Sequence, residues 1–288
     1  MTSPQQTWII TGATRGFGYA LTIEALRRGD NVVAAVRRPT ALSDVVAQWP
    51  DRIAVCEFDA GATDQVDAVI EMARERFGGV DVLVNNAGRG IVGAAEEVSE
   101  AELRAGMDLH LHVPAAMVRA ALPTMRAQGS GTIVQMSSQG GRLSFPGIGA
   151  YSAGKFALEG WSEALAGEVA PFGIRVMLVE PSRFRTAFNE PEVLRVVERS
   201  DVYGAILDDV RANMAAGDGV QEGDPARAAR IIADAVGSDD VPLRLPLGAE
   251  AVRRLDESYR AGLAGVRRWE HTAVAADFPG VPASARPF

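Results

Sequence analysis

Seven short apolar runs alternate along the chain with longer stretches in which apolar residues recur every three to four positions. The runs at 8–11, 31–36, 53–58, 80–85, 132–136, 175–180 and 241–245 are apolar at nearly every position, not at every second one. Strands covered on both faces read this way. The 3.6-residue spacing over 17–28, 64–77, 99–128, 151–171 and 225–236 predicts helices. Such alternation predicts parallel strands joined by right-handed crossovers, with helices on both faces of the sheet. The expected architecture is one α/β domain over 1–288, a doubly wound, seven-stranded parallel sheet. No fixed-period repeat, low-complexity tract or interdomain linker interrupts it.

One interval breaks the rhythm. Residues 182–222 separate a strand from the next long helix and carry Pro191, several charges and the apolar residues Phe184, Phe188, Tyr203, Ile206 and Met214. An insertion after a strand's C-terminal end lies where open α/β sheets place ligand contacts, so it is expected to form a partly helical lid over a substrate. Residues 248–288 are expected to form a C-terminal extension, helical through Trp269 and then Pro-rich, packed on the core or at a subunit contact.

Composition narrows the function classes. Of 288 residues 47% are hydrophobic and 23% charged, an ordinary globular balance. A net charge of -8 provides no positive field for nucleic acid or an anionic membrane, so neither is an expected partner. Cys56 is the single cysteine, which excludes an intrachain disulfide and a Cys-based zinc site, and three His argue against a His-rich metal site. No metal is expected. The polar start over residues 1–6 lacks signal-peptide character and no apolar window reaches membrane-spanning length, so a cytoplasmic protein is expected. Of the 29 basic residues only Lys155 is Lys. In so Arg-rich a chain, that lysine marks a position where a compact ammonium suits better than a planar guanidinium.

The first strand runs into Thr11-Gly12-Ala13-Thr14-Arg15-Gly16-Phe17-Gly18, and a helix follows. Glycines at a first strand–helix turn allow backbone N–H groups to approach a pyrophosphate, the Rossmann-type dinucleotide site. After the second strand Val36 offers no carboxylate for a ribose 2′-hydroxyl, while Arg37 and, from the glycine turn, Arg15 can pair with a 2′-phosphate. Two cations without a competing carboxylate predict NADP(H) over NAD. Asp59, at the next strand end, can accept from an adenine amino group. Asn86-Ala87-Gly88 ends the fourth strand with small residues and a side-chain amide that can pin the loop against a cofactor.

Tyr151 and Lys155 stand four apart on a predicted helix, so phenol and ammonium share a face. A cation within about 4–6 Å favours phenolate and lowers the phenol pKa from about 10. Tyr151 then serves as general acid towards a carbonyl or general base towards an alcohol. Lys155 can also hold the nicotinamide ribose. The strand before this helix ends in Ser137-Ser138, thirteen positions ahead of Tyr151, and a hydroxyl there can donate to the substrate oxygen as charge develops.

Over roughly residues 8–188 these motifs, with Glu180-Pro181 and Thr186, resemble the short-chain dehydrogenase/reductase family in order and spacing. The resemblance implies an NADP-dependent oxidoreductase in which Ser138 polarises the substrate, Tyr151 exchanges the proton and Lys155 tunes it. It also implies that Asn86 lines the cofactor and that Pro181, Phe184 and Thr186 lie beside the nicotinamide. It implies a homodimer or homotetramer paired through helices 99–128 and 151–171. In two places the chain departs from the family pattern. His110 stands where the family has a catalytic Asn, and is either a substitute proton relay or a helix residue without a proton role. Ser182 replaces a Gly common after Glu180-Pro181. Phe145 and Phe188, with Ser138 and Tyr151, are expected to line a largely apolar pocket for a small carbonyl or alcohol. The same site also suits an epimerase working through a transient ketone, or a non-catalytic NADP-binding regulator.

Overall fold

A computed structural model describes residues 5–282 except 191, 199–200 and 217–218; Pro191, the first residues of the polar start and the end of the Pro-rich tail lie outside the described residues. The elements run β1 (Thr7–Thr11), α1 (Gly16–Arg28), β2 (Asn31–Val36), α2 (Ser43–Gln48), β3 (Ile53–Glu57), α3 (Val66–Phe77), β4 (Val82–Asn85), β5 (Gly90–Val92) and α4 (Glu100–Met107). After a π-helical turn (Asp108–His112) come α5 (Val113–Gln128), β6 (Gly131–Met136), α6 (Gly149–Val169), β7 (Ile174–Pro181), β8 (Leu194–Val196), α7 (Gly204–Ala216), α8 (Pro225–Val236), β9 (Arg244–Leu247) and α9 (Ala249–Val274).

Seven strands form one parallel sheet in the order β3-β2-β1-β4-β6-β7-β9. The order reverses between β1 and β4, and a crevice opens there at the C-terminal strand ends. The consecutive apolar residues of β1 have a packing reason. Trp8 and Ile10 pack on one face with Leu21 and Leu26 of α1 and Ile232 of α8. Ile9, between them, packs on the other face with Val69 of α3 and Met117 of α5. Each such burial contributes about 1.5–3 kcal/mol.

Several elements differ from the sequence expectation. The strand expected at 241–245 forms at Arg244–Leu247, because the register with β7 starts at Leu178↔Arg244. Pro246 is tolerated there since β9 is an edge strand. The helix expected over 99–128 is interrupted by the π-helical turn at Asp108–His112. Pro114 cannot donate to the carbonyl four residues back, and its ring crowds that carbonyl, so the turn widens. The helix expected over 151–171 starts at Gly149 and gives way at Val169 to a 3-10 turn over Ala170–Phe172 that contains Pro171. The insertion holds a 3-10 turn (Ala187–Asn189), β8 and α7. β8 pairs in parallel with β5, Gly90↔Leu194 through Val92↔Val196, a pairing between two three-residue segments that no apolar run marks. Of α9 only Ala251 and Leu255 are buried, so the C-terminal helix packs on the body through its first turns.

Candidate active site

The turn after β1 needs its glycines for two different reasons. Gly12 and Gly16 have φ of 67° and 56°, a left-handed conformation that strains any residue with a Cβ. Gly18 is needed for space: a Cβ there would lie 2.4 Å from the Gly12 carbonyl oxygen and 2.5 Å from Asn86 Nδ2. That amide donates to the carbonyls of Thr11 (2.8 Å) and Gly12 (3.3 Å). Thr11 Oγ1 in turn accepts from the N–H groups of Asn86 (2.9 Å) and Ala87 (3.0 Å), which laces the ends of β1 and β4 together. No side chain caps the start of α1, so its first N–H groups remain free to meet an anion.

A cavity of about 640 Å³ follows the C-terminal edge of the sheet. Of the residues expected at the site, the structure brings Gly12, Thr14, Arg15, Gly16, Phe17, Arg37, Asp59, Asn86, Ala87 and Gly88 to its walls. His110, Ser138, Tyr151, Lys155, Pro181, Phe184, Thr186 and Phe188 line it too. Two do not reach it. Gly18 sits behind the wall for the packing reason above, and Phe145 lies beneath the Arg254 guanidinium of α9, 5.2 Å from its ring centroid. The Asp59 carboxylate accepts from Gly61 N at 3.0 Å, which fixes its loop.

Carboxylates from elsewhere in the chain reach two of the arginines at this end of the cavity. Arg15 Nη1 meets Glu190 at 3.3 Å and Glu192 at 3.5 Å, and Arg38 Nη2 meets Glu192 at 3.9 Å. These acids come from the insertion, and sequence reasoning missed them because they stand more than 150 positions from the arginines they face. Arg37 has no ion-pair partner among the described residues. All these ion pairs are exposed and individually weak.

At the other end of the cavity Ser138 caps a 3-10 turn (Gln139–Gly141), accepting from Gly140 N at 3.0 Å. The Ser138 hydroxyl and the Tyr151 ring come together at Gly140, where a Cβ would lie 3.4 Å from Ser138 Oγ and 3.2 Å from Tyr151 Cε1. The Tyr151 ring is held edge-on between His110 (5.4 Å between centroids) and Phe188 (5.9 Å). Lys155 Nζ donates to the Met136 carbonyl at 2.7 Å and lies 5.9 Å from the Tyr151 ring centroid. The expected electrostatics are corrected here. Burial pushes the phenol up to about 12, opposed by the Ser138 hydroxyl, and outweighs any effect of the lysine. Burial also pulls Lys155 down to about 8, opposed by the negative charge of Glu159.

His110 occupies the π-helical turn and is 2% exposed. Its Nε2 lies 2.9 Å from the Arg89 carbonyl, which can only accept, so Nε2 carries the hydrogen and Nδ1 is a bare acceptor. Nδ1 is buried without a hydrogen-bond partner. Burial and the charge of Lys155 hold His110 neutral well below its ordinary range. The unfolded chain binds a proton at this histidine below about pH 6.5 and the folded chain does not, so stability falls as the pH drops. Replacing it with Asn should flatten the loss between pH 7 and 5.5, whose slope is at most about 1.4 kcal/mol per pH unit. Urea unfolding at the two pH values measures it, and an unchanged slope would contradict a neutral buried imidazole.

The remaining residues shape the wall. Ser182 Oγ donates to the Leu247 carbonyl at 3.3 Å and ties the start of the insertion to β9. Phe184 packs on Phe17 with centroids 5.0 Å apart. Thr186 Oγ1 accepts from Phe188 N at 3.3 Å, capping the turn that carries Phe188. Among the described residues no cluster of His, Cys, Asp and Glu is arranged to hold a metal, and no helix is long and apolar enough to cross a membrane.

A family model described as short chain dehydrogenase matches residues 6–195. A solved short-chain dehydrogenase from Streptomyces avermitilis is 43% identical and superposes with a TM-score of 0.89 over 96% of this chain and 100% of that one. A short-chain dehydrogenase from Burkholderia phymatum in complex with NAD is 24% identical (TM-score 0.74, 99% of both chains). One from Burkholderia cenocepacia in complex with NADP is 25% identical (TM-score 0.69, 96% of this chain and 100% of that one).

Proposed function

This chain belongs to the short-chain dehydrogenase family, and on that premise we propose that it is an NADP(H)-dependent oxidoreductase acting on a small, largely apolar carbonyl or alcohol. The family binds a nicotinamide cofactor. One observation carries the reading: the Ser138, Tyr151 and Lys155 side chains converge at one end of the same cavity whose other end holds the glycine turn and three arginines. The residues fit a dinucleotide. The turn is free of Cβ atoms at Gly12 and Gly16, with Ala87 Cα and Thr186 Cβ each only 3.1 Å from where such atoms would sit. Arg15, Arg37 and Arg38 would hold a 2′-phosphate, Asp59 would face the adenine, and Thr186 and Phe184 would face the nicotinamide.

When bound, the cofactor supplies or accepts the hydride. The chain's own residues manage the oxygen. Ser138 donates a hydrogen bond to the substrate oxygen and Tyr151 gives it a proton through its phenol. Lys155 would hold the cofactor ribose and, as an ammonium, favours negative charge on the phenol oxygen. A phenol kept neutral across physiological pH is the acid form, which suits carbonyl reduction. Phe188 excludes water from one side of the Tyr151 ring. His110 offers a proton relay only at Nδ1.

A panel of carbonyls with NADPH and NADH, followed by loss of nicotinamide absorbance, tests the reading. Arg37→Ala should lower kcat/KM for NADPH about 10- to 100-fold, the equivalent of one charge-assisted hydrogen bond of about 1.5–3 kcal/mol, and leave NADH unchanged. Equal use of both cofactors by the unaltered protein would refute the NADP assignment. No turnover of any carbonyl or alcohol would refute the activity.

A further inference from the structure

Behind Lys155, on the side away from the cavity wall, the fold gathers buried charge that the proposed reaction does not use. Glu159 follows Lys155 by one turn of α6, and Glu180 stands near the end of β7. They are 3% and 2% exposed. Both converge on one nitrogen: Arg244 Nε lies 3.1 Å from Glu159 Oε2 and 3.7 Å from Glu180 Oε1. Arg244 is further divided, since its Nη2 meets the exposed Glu163 at 2.6 Å. The other guanidinium, Arg142, lies 3.7 Å from Glu159 and also covers the Tyr259 ring of α9. The groups facing the two carboxyls are therefore Lys155 and Glu163 from α6, Arg142 from the loop after the 3-10 turn, Arg244 from β9 and Tyr259 from α9. Gly141 keeps the space open, because a Cβ there would lie 3.0 Å from Glu159 Cγ and 2.8 Å from Ser137 Oγ.

Each of the two buried carboxyls has an oxygen that no donor reaches. Oε1 of Glu159 and Oε1 of Glu180 are both buried without a hydrogen-bond partner. Two ionised carboxylates only accept, so neither can satisfy the other. A single proton converts one into a donor, removes the like-charge repulsion and removes the desolvation cost of a second buried charge. We propose that Glu159 and Glu180 share one proton as a buried acid pair, and that Glu159 acts as a positioning residue that keeps Lys155 charged.

This deepens the reading of Lys155 given above and rests on it. Among the described residues Lys155 has no carboxylate at ion-pair distance; its ammonium donates to a neutral carbonyl. The charge that opposes its desolvation is that of Glu159. Burial and the neighbouring Glu159 both hold the Glu180 carboxyl protonated above the usual carboxylate range. As the pH rises the pair gives up its shared proton to solvent, and the added negative charge delays the loss of the lysine's proton.

Lys155 is the only lysine of the chain, so protein grown with 13Cε-lysine yields one lysine side-chain resonance and needs no assignment. In the whole protein without substrate, Glu159→Gln should move the titration midpoint of that resonance down by about one pH unit. Infrared difference spectra between pH 6 and 9 should contain a protonated-carboxyl band that titrates, and Glu180→Gln should remove it. Glu163→Gln, at the exposed end of the cluster, should change neither. A lysine midpoint unmoved in Glu159→Gln, or the absence of any titrating band that Glu180→Gln removes, overturns the proposal. Should Glu159→Gln fail to fold, the infrared comparison of the unaltered protein with Glu180→Gln decides alone. Neither measurement uses turnover, so failure here is separable from failure of the proposed activity.

Discussion

Tyr151→Phe should cut kcat for carbonyl reduction by a factor on the order of 10²–10⁴, the usual contribution of a positioned proton donor, and leave nucleotide affinity unchanged. The change is nearly isosteric. The ring remains held between His110 and Phe188, and only the hydroxyl is lost. Nucleotide titration followed by fluorescence, alongside steady-state rates, separates the two effects. Turnover equal to that of the unaltered protein would remove Tyr151 from the chemistry. The pH dependence distinguishes the residues further. With the phenol pushed up to about 12 and Lys155 pulled down to about 8, the alkaline limb of kcat should fall near pH 8 as the ammonium is lost, well before the phenol ionises.

Gly18→Ala is the second large effect. The added methyl group would meet the Gly12 carbonyl oxygen and Asn86 Nδ2, so either the glycine turn opens or the Asn86 amide lets go of Thr11 and Gly12. Overpacking of this kind costs about 1–3 kcal/mol, and it falls on the turn that must approach the pyrophosphate. The expected result is a rise in nucleotide Kd of about 10- to 100-fold together with a lower Tm. By contrast Gly106→Ala, in α4 where a Cβ meets nothing within 4 Å, should be silent or slightly stabilising. Equal nucleotide affinity in the Gly18 and Gly106 variants would contradict the packing argument.

Features fixed by local chemistry were legible in the sequence. The glycine turn, the four-residue spacing of Tyr151 and Lys155, and consecutive apolar strands each depend on near neighbours, and the structure puts them where the pattern implies. Features that depend on distant partners were not legible. Glu190 and Glu192 look like solvated charges until the fold sets them against Arg15 and Arg38. Phe145 reads as a pocket residue by composition, and its place under Arg254 depends on a helix more than a hundred positions away. The π-helical turn at His110 has a local signal in Pro114, which cannot bond to the carbonyl four residues back, but helical apolar spacing alone runs straight through it. The acidity of Tyr151 is not legible for a different reason. Spacing gives the distance to a cation but says nothing of how much water the fold removes, and here desolvation is the larger effect.

The three-residue pairing of β5 with β8 joins the loop after β4 to the stretch that follows Phe188. Gly90 N donates to the Val193 carbonyl and Val197 N to that of Val92, so few bonds hold the junction. Such a small ladder is a separate cooperative unit of low local stability. Its amides should exchange with deuterated solvent long before those of β1 or β6. Each opening event would then loosen the Phe188 side of the cavity and the Arg89 side, where His110 is anchored, as one unit.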